Sequence, residues 1–118
     1  MARAKQNPFS TKAGNYLLRS TRGAELTKFM MLIMAGRVGL DGMGMPALFK
    51  RDGSWAGNCS WAAQMVCGRG LVTWPTKADD SFKITHVGKT CTEFAALRYS
   101  IPCDPSKHAR DLDAYKIW

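Results

Sequence analysis

The chain has 118 residues, of which 46% are hydrophobic and 10% aromatic. This length fits one domain, or one domain with a tail, and it excludes multi-domain machinery because an independent core needs roughly 100 residues. The apolar content excludes a wholly disordered chain. Seventeen Lys and Arg against nine Asp and Glu give a net charge of +8 at pH 7, which favours a polyanionic partner.

The sequence offers no membrane span and no sign of export. Its longest apolar stretch, residues 29–35, is about a third of the roughly 20 residues that cross a bilayer. Residues 1–8 are basic but precede no apolar segment of secretory type, so we expect a cytoplasmic protein. We also expect free, mostly buried thiols, because a chain this apolar does not need disulfides. The four cysteines are Cys59, Cys67, Cys91 and Cys103.

Charge divides the chain into three predicted parts. Residues 1–22 contain five basic and no acidic residues, which is over half of the net charge, and we predict a basic N-terminal arm there. Within the arm, the apolar run at residues 16–18 is able to dock on the body. A folded domain is predicted over residues 23–101, and residues 102–118 form a C-terminal extension with a short helix.

Three helices are predicted in the first half of the folded domain. Over residues 23–37, apolar side chains recur at three- and four-residue spacing, which is typical of one buried helix face. Pro46 is suited to the first position of a short second helix over residues 46–51. A third helix is expected over residues 58–67, because a pair of glycines then ends it.

A hairpin and a further helix follow. Residues 71–74 are β-branched and aromatic and residues 81–86 alternate polar with apolar, so they predict two strands of one hairpin. Thr85 is expected to cap a helix over residues 86–98. The stripe expected to be buried on that helix consists of Val87, Cys91, Phe94 and Leu97.

The order helix, short helix, turn, helix, hairpin, helix is that of a winged helix-turn-helix. Residues 65–74 (MVCGRGLVTW) and 83–89 (KITHVGK) resemble the end of the recognition helix and the flanks of the wing in MarR-like and related small bacterial and phage regulators. The resemblance covers residues 24–98. It implies an α+β fold, mostly α with a small β-hairpin, and the function of a sequence-specific, DNA-binding transcriptional regulator.

In such a fold the third helix would read bases in the major groove of double-stranded DNA. Ala63 and Val66 are then expected to face the core. The outer side of the helix is expected to carry Asn58, Ser60, Trp61 and Gln64. Asn and Gln suit adenine, and Ser suits phosphate. The alternative is that Asn58 and Ser60 only cap the helix, that Gln64 is ordinary surface, and that Trp61 packs in the core.

Basic residues around this helix are candidates for contacts with DNA phosphates. They are Lys50, Arg51 and Arg69, with Lys77 and Lys83 in the wing and Arg3 and Lys5 in the arm. Each is alternatively a solvated surface charge. The wing also carries Asp79 and Asp80, which repel phosphates, so its insertion into a groove is not favoured.

Two function hypotheses remain open. No Cys-x-x-Cys or His-Glu-x-x-His motif is present, so we expect no metal site, no cofactor and no enzyme. The first hypothesis is a dimeric DNA-binding regulator, which the charge favours. The second is a phage-encoded winged-helix protein that binds and inhibits a host polymerase, nuclease or defence complex. Trp55 and Trp61, as exposed aromatic candidates, favour the second.

Overall fold

The computed structural model describes residues 12–114, with side chains from residue 16 onward. This part of the chain has an α+β fold. Its helices are α1 (Lys12–Arg19), α2 (Gly23–Met34), α3 (Ser60–Cys67), α4 (His86–Tyr99) and α5 (Pro105–Ala114). Its strands are β1 (Val38–Leu40), β2 (Pro46–Phe49), β3 (Trp55–Asn58), β4 (Val72–Thr73) and β5 (Lys83–Ile84). Arg3 and Lys5, two predicted DNA contacts, lie outside the described residues.

Helix α2 lies at the centre of the core and packs against α1, α4 and α5. The helix predicted over residues 23–37 is confirmed, and Leu26 and Phe29 are fully buried on it. The helix ends at Met34, because Gly36 adopts a left-handed conformation with φ 77°. That conformation lets the N–H of Arg37 donate to the carbonyl of Leu32 at 3.0 Å.

The short second helix predicted over residues 46–51 is wrong. Pro46–Phe49 is instead β2, the central strand of the antiparallel sheet β1-β2-β3. Leu48 pairs with Val38 on one side and with Gly57 on the other, and its side chain is fully buried. Four apolar residues are too few for periodicity to separate a strand from a helix turn. Helix α3 therefore follows a β-hairpin, and residues 46–67 do not form a helix-turn-helix pair.

The predicted hairpin and the helix after it are confirmed. Strands β4 and β5 pair antiparallel, and α4 begins where Thr85 caps it. The Oγ1 of Thr85 accepts the N–H of Gly88 at 2.9 Å and donates to the carbonyl of Gly70 at 2.8 Å. One side chain thus joins the start of α4 to the segment that follows α3.

The buried stripe predicted for α4 is wrong in three of its four positions. Cys91 is buried, but Val87 is 46% exposed, Phe94 43% and Leu97 79%. Small side chains face the core instead: Gly88, Cys91, Thr92, Ala95 and Ala96. They let the backbone of α4 come very close to its neighbours, since a Cβ on Gly88 would lie 1.9 Å from the carbonyl oxygen of Leu71.

Both end segments of the described chain belong to the core. Helix α1 lies within the predicted arm, and its Leu17 is fully buried, so residues 16–18 do dock on the body. The hydroxyl of Tyr99 donates to the carbonyl of Leu17 at 2.6 Å. Leu112 of α5 is also fully buried.

All four cysteines are free, and Cys59 and Cys91 are buried. Burial raises the pKa of Cys59 to about 12 and that of Cys67 to about 11. Within residues 12–114, no helix has the length and apolar character needed to cross a membrane.

Candidate nucleic-acid interface

Helix α3 has one buried side and one outer side. Ala63 and Val66 are fully buried, as predicted. On the outer side, Gln64 is exposed, while Trp61 and Met65 are half-buried. Trp61 packs against the core, so part of its ring contacts buried residues and part remains accessible. Eight residues give the helix a length of about 12 Å, enough for a few base pairs of a major groove.

Two arginines lie over aromatic rings beside this helix. The guanidinium carbon of Arg22 is 4.1 Å from the centre of the Trp61 ring, and that of Arg69 is 3.8 Å from the centre of the Tyr16 ring. We call Tyr16, Arg22, Trp61 and Arg69 the arginine–aromatic patch. Tyr16 comes from α1, Arg22 from the α1–α2 turn, and the other two from α3 and the residues after it.

Hydrogen bonds fix both arginines. The Nε of Arg22 donates to Glu25 at 2.8 Å, and this bond is the main reason why the pKa of Arg22 is raised. A weaker electrostatic contribution to the raised pKa of Arg22 comes from Tyr16. The Nη1 of Arg69 donates to the carbonyl of Met65 at 3.1 Å.

The two arginines differ in charge balance. Arg22 is paired with Glu25, whereas within the described residues no carboxylate lies at ion-pair distance from Arg69. A guanidinium stacked on a ring keeps its full charge, and its N–H groups point outward in the plane of the stack. Arg69 is therefore suited to a phosphate oxygen.

Asn58 and Ser60 flank Cys59, the N-cap residue of α3, whose side chain forms no capping hydrogen bond, so neither residue is the cap that the sequence suggested. The Oδ1 of Asn58 accepts the N–H of Ser60 at 2.9 Å, which leaves the amide nitrogen of this exposed side chain for a ligand. The Oγ of Ser60 is buried and has no hydrogen-bond partner within residues 12–114.

The other predicted phosphate contacts lie away from the patch. Lys50 and Arg51 follow β2, and the backbone N–H of Arg51 donates to Asp113 of α5 at 2.9 Å. Lys77 is exposed in the loop between β4 and β5. Lys83 lies on β5, where its Nζ is 3.1 Å from the Oγ of Ser81. Of the predicted residues, the structure thus gathers Asn58 and those on and directly after α3.

Sequence reasoning missed Tyr16 and Arg22. About 40 residues of chain separate them from α3, and no local motif links the two stretches. Only the packing of α1 against α2 and α4 brings Tyr16 under Arg69 and Arg22 over Trp61. Tyr16 stands between Asn15 and Leu17 and Arg22 between Thr21 and Gly23, so the sequence carries no local signal for either residue.

The loop between β4 and β5 bears the exposed carboxylates of Asp79 and Asp80. The ring of Trp74 is 42% exposed and meets the buried ring of Phe82 edge-on, with 5.0 Å between ring centres. Within residues 12–114, no three His, Cys, Asp or Glu side chains are grouped so as to hold a metal ion. No family model, curated protein or solved structure matches this chain.

Proposed function

We propose that this protein binds double-stranded DNA through the outer side of α3 and the arginine–aromatic patch, as a small sequence-specific transcriptional regulator. The observation that carries the proposal is the gathering of Arg22, Trp61 and Arg69 beside the exposed Gln64 of one short helix. In this proposal α3, the β4–β5 hairpin and α4 would act as recognition helix, wing and following helix, although the sheet β1-β2-β3 precedes α3 in place of the first helix of a helix-turn-helix pair.

Charge supports a polyanionic partner. Thirteen Lys and Arg lie in residues 16–114, and four ion pairs are formed in that part of the chain. Nine cationic side chains are thus left without a carboxylate partner there. This count is complete for the acidic residues, because all nine Asp and Glu of the chain lie in residues 16–114. Neutralising phosphates releases counterions, so the affinity should fall steeply as salt rises.

Each residue of the interface has a defined task. Gln64 presents both a donor and an acceptor, the pair that reads the edge of adenine. The amide nitrogen of Asn58 donates to a base or to a phosphate. Arg69 binds a backbone phosphate, Arg22 in its ion pair with Glu25 lies over the ring of Trp61 and holds it in place, and the exposed part of Trp61 packs on a sugar. A single eight-residue helix covers few base pairs, so a homodimer on paired half-sites supplies the affinity.

Fluorescence anisotropy with two labelled duplexes tests the proposal. One duplex is the DNA directly upstream of the gene, and the other is its scrambled version. Gln64→Ala should weaken binding to the upstream duplex by about 1–3 kcal/mol while it leaves the scrambled duplex almost unaffected. Arg69→Gln should weaken both and lower the salt slope by about one.

Arg98→Gln is the matched control, because Arg98 is an exposed arginine on a different helix. It should change neither the upstream nor the scrambled affinity. Absence of any duplex binding at low salt would refute the proposal. Equal affinities of the wild type and the Arg69→Gln variant for both duplexes would remove the patch as the interface.

A second candidate function is the binding and inhibition of a host protein complex. The side chains that favour it are the exposed Trp55, which is 61% accessible on β3, and Leu97 on α4. A pull-down from host lysate with the wild type and with Trp55→Ser distinguishes the two functions. A stoichiometric partner that the variant loses, combined with no retention of DNA, would favour inhibition over regulation.

A further inference from the structure

Three arginines line one cleft on the side formed by β1, the β2–β3 turn and α5. Arg37 comes directly before β1, Arg51 from the turn and Arg110 from α5. Ser106 and Asp113 of α5 complete the polar lining of this cleft, whose volume is about 340 Å³. None of these residues belongs to the arginine–aromatic patch.

Asp113 organises the cleft and neutralises only one of the three arginines. Nη1 and Nη2 of Arg37 donate to its two carboxylate oxygens at 2.5 and 3.1 Å. The backbone N–H of Arg51 donates to the same carboxylate at 2.9 Å. The side chains of Arg51 and Arg110 form no ion pair within the described residues, so the lining keeps a net charge of +2.

We propose that this cleft is a binding site for a phosphoryl group on a small ligand. Arg51 and Arg110 supply planar N–H donors that match phosphate oxygens in bidentate geometry. Arg37 is held in place by Asp113 and completes the positive wall. A phosphate monoester carries about two negative charges near neutral pH, which balances the charge of the lining.

The neighbouring groove argues for a small ligand over a long polyanion. It shares Arg37 and Arg51 with the cleft and adds Lys50, but the carboxylates of Asp79 and Asp80 also line it and offset the charge of two of these three cations. A DNA backbone that continued from the cleft into this groove would lie beside two carboxylates that weaken its attraction to the basic residues. The volume of the cleft lies at the lower end of the range for small-molecule sites.

Titration of ¹⁵N-labelled protein with sodium pyrophosphate, followed by NMR, tests the proposal. Ionic strength is held constant, and a parallel titration uses sodium chloride. Saturable shifts are expected at the amides of Arg51, Ser106 and Arg110 in the pyrophosphate titration and not in the chloride titration. Inorganic phosphate should give the same shifts with weaker binding. Identical shifts in the chloride titration would overturn the proposal.

The double variant Arg51→Gln with Arg110→Gln should bind pyrophosphate at least about tenfold more weakly. The change leaves the backbone N–H of Arg51 in place for Asp113, so the fold is expected to persist, and circular dichroism checks this. Arg98→Gln is the matched control and should bind like the wild type. If the double variant folds and its affinity is unchanged, the cleft is not the site.

The charge-reversed variant Arg110→Glu keeps the test decisive if the double variant does not fold. This exposed single substitution should abolish the shifts, and persistence of wild-type affinity in it would overturn the proposal. A 20-base-pair duplex added to the pyrophosphate complex identifies the source of the phosphoryl group. Displacement of pyrophosphate assigns the site to DNA phosphates, and retention assigns it to a small ligand.

DNA binding by the same variants distinguishes the failure of this inference from the failure of the proposed function. DNA binding that is lost in Arg69→Gln and kept in the double variant supports the interface at α3 whatever the cleft binds. Pyrophosphate binding without any DNA binding would support the cleft alone.

Discussion

The arginine–aromatic patch and the arginine cleft hold their guanidinium groups in different ways. In the patch, Arg69 lies on the ring of Tyr16 and has no carboxylate partner within the described residues. In the cleft, Arg37 is bound by both oxygens of Asp113. A ring orients an arginine and leaves its charge intact, whereas a carboxylate orients it and cancels the charge. The net charge of a sequence therefore does not tell which arginines are available to a ligand.

The two sites also depend on different parts of the fold. The patch needs α1 to pack against α2 and α4, because α1 supplies Tyr16. The cleft depends on α5 and on the turn between β2 and β3. Substitutions that weaken the packing on which one site depends should leave the other site nearly unchanged. This independence of the two sites can be tested.

The largest effect is expected from Leu17→Ala. Leu17 lies on α1 and its side chain is fully buried. Truncating such a side chain to Ala lowers the free energy of unfolding by about 2–5 kcal/mol. Urea denaturation followed by circular dichroism measures the loss. The matched control is Leu97→Ala, which should have little effect because Leu97 is 79% exposed. Equal stabilities of the two variants would contradict the packing of α1.

A smaller loss is expected from Thr85→Ala. The Oγ1 of Thr85 caps α4 and also holds the carbonyl of Gly70, the residue after Arg69. Removing a cap of this kind costs about 0.5–2 kcal/mol. Thermal unfolding should show the loss, and DNA affinity should weaken with it. Thr76→Ala, in the exposed loop between β4 and β5, should change neither quantity.

A still smaller effect isolates the stacking of Arg69 on Tyr16. A double-mutant cycle with Tyr16→Leu and Arg69→Met should give a coupling energy of about 0.5–1 kcal/mol, the usual size for an exposed cation–π contact. Each corner of the cycle is measured by urea denaturation. A coupling energy of zero would mean that the ring does not hold the guanidinium in solution.

The response to acid should be governed by the cleft side of the molecule. The hydrogen bond from Arg37 lowers the pKa of Asp113 below its ordinary value. A carboxyl group whose pKa is lowered by folding stabilises the fold above its unfolded-state pKa, and this contribution disappears as the pH falls through the folded-state pKa. The unfolding temperature of the wild type should therefore drop on acidification below about pH 4.

Asp113→Asn removes the contribution of this carboxyl group, while Asp52 and Asp111, whose pKa values are also lowered, keep theirs. The variant should be less stable than the wild type at pH 7, and the difference should shrink as the pH is lowered. Differential scanning calorimetry between pH 7 and pH 2 measures both curves. Parallel curves would show that the pair of Arg37 and Asp113 does not contribute to the acid response.

Local pattern predicted helices α2 to α5 and the β4–β5 hairpin, but it missed α1 and the whole sheet β1-β2-β3. Helices α2, α3 and α4 and the β4–β5 hairpin each have their own periodicity and end signals. The strand β2 has no such signals, because the run of residues 46–49 is short and uniformly apolar. Only its pairing with β1 and β3 determines that it is a strand and not a helix. On α4, large apolar residues predicted the wrong buried face, since close packing against α1 and α2 favours the small side chains.

The candidate site was predictable only where it lies on α3. Trp61, Gln64 and Arg69 follow from the position of that helix between a turn and a hairpin. Tyr16 and Arg22 are brought to it by tertiary packing, which single-sequence patterns do not encode. Arg51 was predicted beside α3 because residues 46–51 were read as a helix, and the strand carries it to α5 instead.

The most direct test of the central claim is NMR mapping of the surface that duplex DNA contacts. Unlabelled 12-base-pair duplex from the region upstream of the gene is added to ¹⁵N-labelled protein at low salt. The account predicts the largest amide shifts in residues 58–70 and around Arg22, and almost none along the exposed side of α4. Shifts concentrated on α4 or β3, or none at any duplex concentration, would contradict it.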